Sequence, residues 1–565
     1  MTSISRKLSW LALAAALAAG AASAQAPAKP QYGGTLNVGT VYVTRTALSW
    51  DGADWNWKFN HDAGQMYEQL FAADLSKAQR NGGKQAFVAD AWVPSDAMRG
   101  ELAESWTWTD PLTLTVKLRK GVRFPAKEGV MAERELVAED VVYAYTRMDR
   151  SPKKILTYFD HIAAVEATDK HTVVFRFKNF NAEWDYRWGW GYYSSIVPRE
   201  VVEAGAGDWR KANGTGPFLL TNFVSGNANT YVKNPGYWDK ETIGGQAWQL
   251  PFVDSVVYRT IKDESSQLTA LRTARLDILE TIRWTSVDEL KRSAPALQWK
   301  RYLAPSANYL AMRVDQKPFD DIRVRRALNM AVNKQEVVKQ FYGGNAELLS
   351  FPMSPAFDGY YEPLSAMPPE VKELFTYDPE RARKLLAEAG HAKGFSFKVQ
   401  VCACEPNNLE LLQLMAGYLQ KVHVRMEIQS MEYAPFLSAM TSKTNAAGYY
   451  MLNGFTNPTT SLRKNFQTGQ TWNAAQWADP QFDAALEAIY AQRDEPARQA
   501  QVKQATREIL AAAPYIFMPT PYHFAAWWPW VKNYEGELFA GAARPGPIYA
   551  RMWIDQELKK KMGFK

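Results

Sequence analysis

Residues able to do chemistry are few and scattered in this 565-residue chain. Its six histidines, at positions 61, 161, 171, 391, 423 and 523, form no H-E-x-x-H zinc pattern, and no G-x-S-x-G elbow offers a serine nucleophile. No nucleophile stands at a readable spacing from a base, which argues against a secreted hydrolase. His423 lies between apolar residues and is expected to pack. The only cysteines are Cys402 and Cys404, followed by Glu405. On a strand, residues i and i+2 share a face with Cα atoms about 6.5–7 Å apart. That is the upper edge of disulfide reach, so a bridge there would be strained. Cys-x-Cys without a second pair or a neighbouring His is not a zinc pattern. Two small, partly buried thiols are therefore expected. The run Asn213-Gly214-Thr215-Gly216-Pro217-Phe218 lacks the GK[ST] ending of a phosphate loop and reads as a turn opening a strand. Nothing calls for a metal or another cofactor.

Binding chemistry is better represented. Aromatics make up 13% of the chain, with 21 Trp. Most should fill cores, but Trp50, Trp55 and Trp57 cluster in one loop and could stack on a sugar, a cation or a peptide side chain. The net charge of +7 is a mild surplus for this length, and the longest basic run is Lys559-Lys560-Lys561. Without a clustered basic patch or a recognition module, nucleic acid is not an expected partner.

The elements that must position these residues are legible by period and punctuation. Arg6 and Lys7, the apolar run Leu8–Ala19 and the small residues Ala22-Ser23-Ala24 make residues 1–24 a cleavable secretory signal. No later run is apolar for long enough to cross a bilayer. Alternation over Leu112–Leu118 predicts a strand. Glu139-Asp140 before Val141-Val142 predicts a helix start. Strands are also expected at Thr35–Gly39, Val253–Ile261, Phe395–Cys404 and Val424–Gln429, and helices at Asp62–Phe71, Asp263–Ala274 and Leu409–Gln420. Asp378, Pro379 and Gly390 give one helix its N-cap, N1 proline and stop.

Several of these segments carry a family wording. Leu102–Met148, with its Leu118-Arg119, Phe124 and Ala138-Glu139-Asp140-Val141, resembles family 5 of the extracytoplasmic solute-binding proteins, the peptide, nickel and opine receptors of ABC importers. So do Gly214-Thr215-Gly216-Pro217, Asn234-Pro235-Gly236-Tyr237-Trp238, and Pro318-Phe319-Asp320-Asp321 running on to Val324-Arg325-Arg326-Ala327. The resemblance implies an α/β, two-lobe periplasmic binding protein fold of the large, three-domain type, with a hinge and an interlobe ligand cleft. Residues 32–58, 195–305 and 515–565 would form lobe I, 59–194 a satellite domain, and 306–514 lobe II. It also implies a soluble periplasmic monomer, not an enzyme, that takes a small solute or peptide and docks on an inner-membrane ABC permease. A metal or haem-type import receptor is the alternative.

Departures from the family bear on the ligand. Dipeptide-binding members hold the ligand ammonium with an Asp in the loop that here reads Asn453-Gly454-Phe455-Thr456-Asn457, which has no acid. The Arg that pairs the ligand carboxylate aligns near Cys402, with Glu405 close by and no Arg. A free dipeptide is therefore disfavoured, leaving a longer peptide or a peptide-like, oligosaccharide or opine-type solute. The candidate ligand-binding residues are Trp50, Trp55, Trp57, Arg283, Trp284, Cys402, Cys404, Glu405, Tyr433, Asn453, Gly454, Phe455 and Asn457.

Overall fold

The structure is a computed structural model that describes residues 29–40, 46–53, 56–151, 158–402 and 406–564. Residues 1–24, read above as a secretory signal, and Trp55, Cys404 and Glu405 lie outside the described residues.

Two large sheets organise the chain. The first runs Phe218–Val224, Ala228–Lys233, Ser255–Thr260, Thr35–Thr40, Ile278–Ile282, Thr520–Trp527, Gln298–Leu303, with Ala346–Glu347 added beside Thr520–Trp527. Thr35–Thr40 is parallel to both of its neighbours. The second runs Val424–Met431, Phe395–Cys402, Gly448–Gly454, Ser306–Met312, Tyr515–Phe517. Strand Ser306–Met312 is buried on both faces, with Tyr309 and Ala311 in one core and Leu310 and Met312 in another. A sheet covered on both sides needs such continuous apolar strands. A smaller antiparallel sheet, Ala103–Asp110, Thr113–Leu118, Thr172–Phe177 and Ile162–Asp169, packs against helix Ala138–Asp149. Its apolar face continues into the core of the first large sheet.

Two short crossings join the large sheets, one from Leu303 to Ser306 and one from Phe517 to Thr520. They run side by side, and Ala304 N–H donates to the Pro521 carbonyl at 3.0 Å. Strand Tyr515–Phe517 pairs with Ser306–Met312, so the return crossing falls after Phe517 and not at Tyr515.

The expected caps are present. Asp378 accepts from Arg381 N–H at 2.9 Å, Pro379 opens the helix Pro379–Glu388, and Gly390 takes φ 86°. The helix expected at Asp62–Phe71 instead spans Asn56–Ala63, because Phe71–Ala73 is drawn into a ladder with Met98–Gly100. The glycine turn serves packing. A Cβ at Gly214 would stand 2.2 Å from the Met66 carbonyl oxygen, and one at Gly216 2.6 Å from the same atom. The turn then leads into strand Phe218–Val224.

Candidate functional site

The two sheets meet along a polar seam below the crossings. On the second-lobe side, Gly454 ends its strand and helix Pro458–Phe466 follows. Asn457 caps that helix, its side-chain oxygen accepting from Thr460 N–H at 2.9 Å. The helix is almost wholly buried and reaches across the seam, where Thr460 Oγ1 donates to Glu183 Oε1 at 2.5 Å. Glu183 is paired with Arg187 at 2.9 Å, and Ala182 N–H donates to the Tyr490 carbonyl at 2.8 Å. Trp92 packs edge-on against Phe357 and Tyr360, with centroids 5.5 and 5.7 Å away. Farther along, Trp284 packs edge-on against Tyr342 at 4.9 Å, again joining the two lobes.

Two opposite charges lie deep in this seam. Asp90 arrives on the loop before Trp92, and Tyr192 OH donates to its Oδ2 at 3.3 Å. Burial pushes its carboxyl up to about 6, against smaller opposing effects of Tyr192 and Lys464. Lys464 sits on the opposing helix and donates to the Gly454 carbonyl at 2.9 Å. Burial pulls its ammonium down to about 8. Although deeply placed, both keep part of their surface open to water.

A third ionisable group stands on the first-lobe wall. Glu280 receives hydrogen bonds from Tyr549 OH and, at 3.2 Å, Tyr258 OH. Tyr258 OH also stands 2.6 Å from His61 Nε2, and Asp62 Oδ1 lies 3.3 Å from His61 Nδ1 and 2.7 Å from Lys58 Nζ. One hydroxyl proton cannot serve both His61 and Glu280. Burial pushes Glu280 up to about 7 and lowers His61, so a protonated Glu280 and a neutral His61 satisfy the chain of contacts.

The residues expected to bind ligand separate into groups. Trp50 is core, 1% exposed and edge-on to Phe223 at 5.5 Å. Phe455 is also core, packed with Phe351 and Phe357. For both, burying a large ring in an available core outweighs leaving it in a wet cleft. Trp57 is half-buried near His61, with centroids 6.2 Å apart. Cys402 is buried and disulfide-bonded, which corrects the expectation of a free thiol. The chain has one other cysteine. Arg283 pairs with Glu264 and leads into the helix that begins at Trp284. Tyr433 is 54% exposed at the start of its helix. Asn453 pairs with Ala307 in the sheet, and its side chain lies outside the description. Trp284, Gly454 and Asn457 are on the seam or on the elements that form it. Asp90, Lys464, Glu183 and Thr460 were missed. The available signal was a lone acid among small apolar residues at Val88-Ala89-Asp90-Ala91.

Comparison with known proteins follows the same outline. Residues 97–494 match the family described as bacterial extracellular solute-binding proteins, family 5 Middle. Di/tripeptide-binding protein 2 of Pseudomonas aeruginosa (strain UCBPP-PA14) is 28% identical over 459 residues, covering 75% of this chain and 81% of its own length. Heme-binding protein A of Haemophilus influenzae is 26% identical over 468 residues, covering 78% and 82%. Among solved structures, the ABC transporter-associated periplasmic binding protein DppA from Helicobacter pylori, in complex with the peptide STSA, superposes with TM-score 0.74 at 22% identity. It covers 93% of this chain and 99% of that one. MoaA from A. tumefacien R10, in complex with mannopinic acid, gives TM-score 0.72 at 18% identity, covering 93% and 99%. These structures share the fold. With a family match across most of its length, this chain belongs to family 5 of the bacterial extracellular solute-binding proteins.

Proposed function

We propose that this protein is the periplasmic receptor of an ABC importer, exported by its N-terminal signal and acting as a soluble monomer without catalysis. It captures a peptide or peptide-like solute between its lobes and presents the closed form to an inner-membrane permease. The observation that carries the reading is the family match over residues 97–494. The names of di/tripeptide-binding relatives favour a peptide-like solute. Among the described residues no helix is long and apolar enough to cross a membrane. The proposed division keeps residues 59–194 as satellite. Lobe I takes 32–58, 195–305 and the C-terminal part after the return crossing, and lobe II takes the chain between the crossings. Ligand contacts made by both lobes favour the closed state, because only differential affinity can shift the population.

Native mass spectrometry of protein purified from periplasm without refolding tests this. A ladder of co-purified peptide masses, or binding of added short peptides, is the expected result. A haem mass, or binding of other solutes to the exclusion of peptides, would overturn the peptide-like part of the reading.

A further inference from the structure

Asp90 and Lys464 bring opposite charges to the same point from the two sides of the seam without reaching each other. Lys464 spends one of its three N–H donors on the Gly454 carbonyl. A Cβ built on Gly454 would stand 4.0 Å from Asp90 Oδ2, 4.0 Å from Ser306 Oγ and 3.9 Å from the Pro305 carbonyl oxygen. Gly454 is thus a bare floor between the acid and the base. Asp90 has only the long contact from Tyr192, Lys464 lies 5.7 Å from the centre of the Trp472 ring, and neither charge has an ion-pair partner within 4 Å among the described residues. Deep charges left unpaired are strongly unfavourable, so their retention at a partly wetted point asks for a partner from solution. The chain of contacts through Gly454 holds the two groups within about 10 Å of each other, a span matched by two or three residues at ~3.6 Å each.

We propose that Asp90 and Lys464 are the two charge anchors of the ligand, Asp90 taking an ammonium group and Lys464 a carboxylate, so that the solute is a short zwitterion laid across Gly454. This rests on the receptor reading above. The anchors come from the Asp90 loop and helix Pro458–Phe466, not from the Gly454–Asn457 loop or the segment after Cys402, where the sequence offers neither an acid in the first nor an arginine in the second. A competing role is a latch, in which the two charges attract each other on closure whatever the ligand.

Calorimetric titration with three synthetic pools of di- and tripeptides separates these possibilities: free, N-acetylated, and C-terminally amidated. The wild-type protein should bind the free pool about tenfold or more tightly than either blocked pool, as expected for loss of a charge-assisted hydrogen bond. Asp90→Asn should erase the difference between free and N-acetylated peptides, and Lys464→Gln that between free and amidated peptides. Equal wild-type affinity for all three pools overturns the anchors while leaving a peptide receptor in place. Equal weakening of all three pools by both substitutions identifies a latch and also overturns the anchors. No response to any pool overturns the peptide-like reading and the anchors together. The wild-type comparison needs no substitution, so a variant that fails to fold does not remove the test.

Discussion

At the scale of single residues, the seam trades stability for charge. Asp90 titrates in the folded protein at about 6, above an ordinary carboxylate. Between roughly pH 4 and 6 the folded state therefore binds more protons than the unfolded one, and its stability falls as pH rises through that window. Lys464, pulled down to about 8, has the lysine counterpart: its ammonium is the penalised form, and that penalty lifts only as pH rises above 8. Near neutral pH both groups are held in the charged form that their surroundings disfavour. Asp90→Asn should accordingly raise the melting temperature of ligand-free protein at pH 7 and leave it unchanged at pH 4, read by paired thermal melts. A variant no more stable than wild type at pH 7 would show that the carboxylate is not strained there. Glu101 illustrates the opposite case. It is fully buried, yet Arg544 meets it with two hydrogen bonds of 2.8 and 3.0 Å, so that charge is satisfied within the protein.

At the scale of elements, the helix Pro458–Phe466 is the part on which the seam depends. Its position is set by the Asn457 cap at one end and by Thr460, Arg463 and Lys464 facing the other lobe or its loops. Asn457 is expected from the sequence as a ligand contact, and in the structure its side-chain oxygen caps the helix. Asn457→Ala should destabilise the protein by about 1 kcal/mol, the usual loss for an N-cap. Asn457→Asp should keep the stability, because a carboxylate caps as well and suits the positive end of the helix dipole. Urea unfolding of both variants measures this. Two equally destabilised variants would mean that the amide group, not the cap, is what matters. The cap motif was readable because an Asn-Pro pair followed by a helical run is local information. That the helix would be buried against Glu183 was not readable, since that contact joins segments remote in sequence.

At the scale of the whole molecule, specific side-chain contacts cross the seam. The Thr460–Glu183 hydrogen bond, the Trp284–Tyr342 contact and the packing of Trp92 on Phe357 and Tyr360 each join parts that are otherwise linked through the two crossings. Hinged receptors shift population by small differences in contact energy. Thr460→Val removes the hydroxyl donor while keeping the side-chain volume. It should weaken ligand binding several-fold, as loss of a hydrogen bond of roughly 1 kcal/mol implies. Because the contact joins the two sides of the seam and lies in the core of neither, the ligand-free melting point should move by less than the affinity. Titration together with small-angle scattering checks both parts, and a lowered ligand-free melting point with unchanged affinity would count against the closure role.

The sequence by itself settled the element order and much of the architecture. Period-two strands, the Asp378–Pro379–Gly390 helix signals and the glycine-proline turn all depend on neighbours within a few residues, and the ordered motifs carried the family. It misplaced the helix near Asp62, because Phe71, the last residue of the expected helix, pairs instead in a ladder with Met98–Gly100. It did not show that Trp50 and Phe455 are buried in cores, because an aromatic side chain in a loop looks alike whether it meets a core or a cleft. It could not name Asp90 and Lys464, since neither has an informative neighbourhood until folding brings the two lobes together at Gly454. Local propensity and pattern travel with the chain. The approach of two charges across a seam is a property of distance in space, and only the tertiary structure supplies that distance.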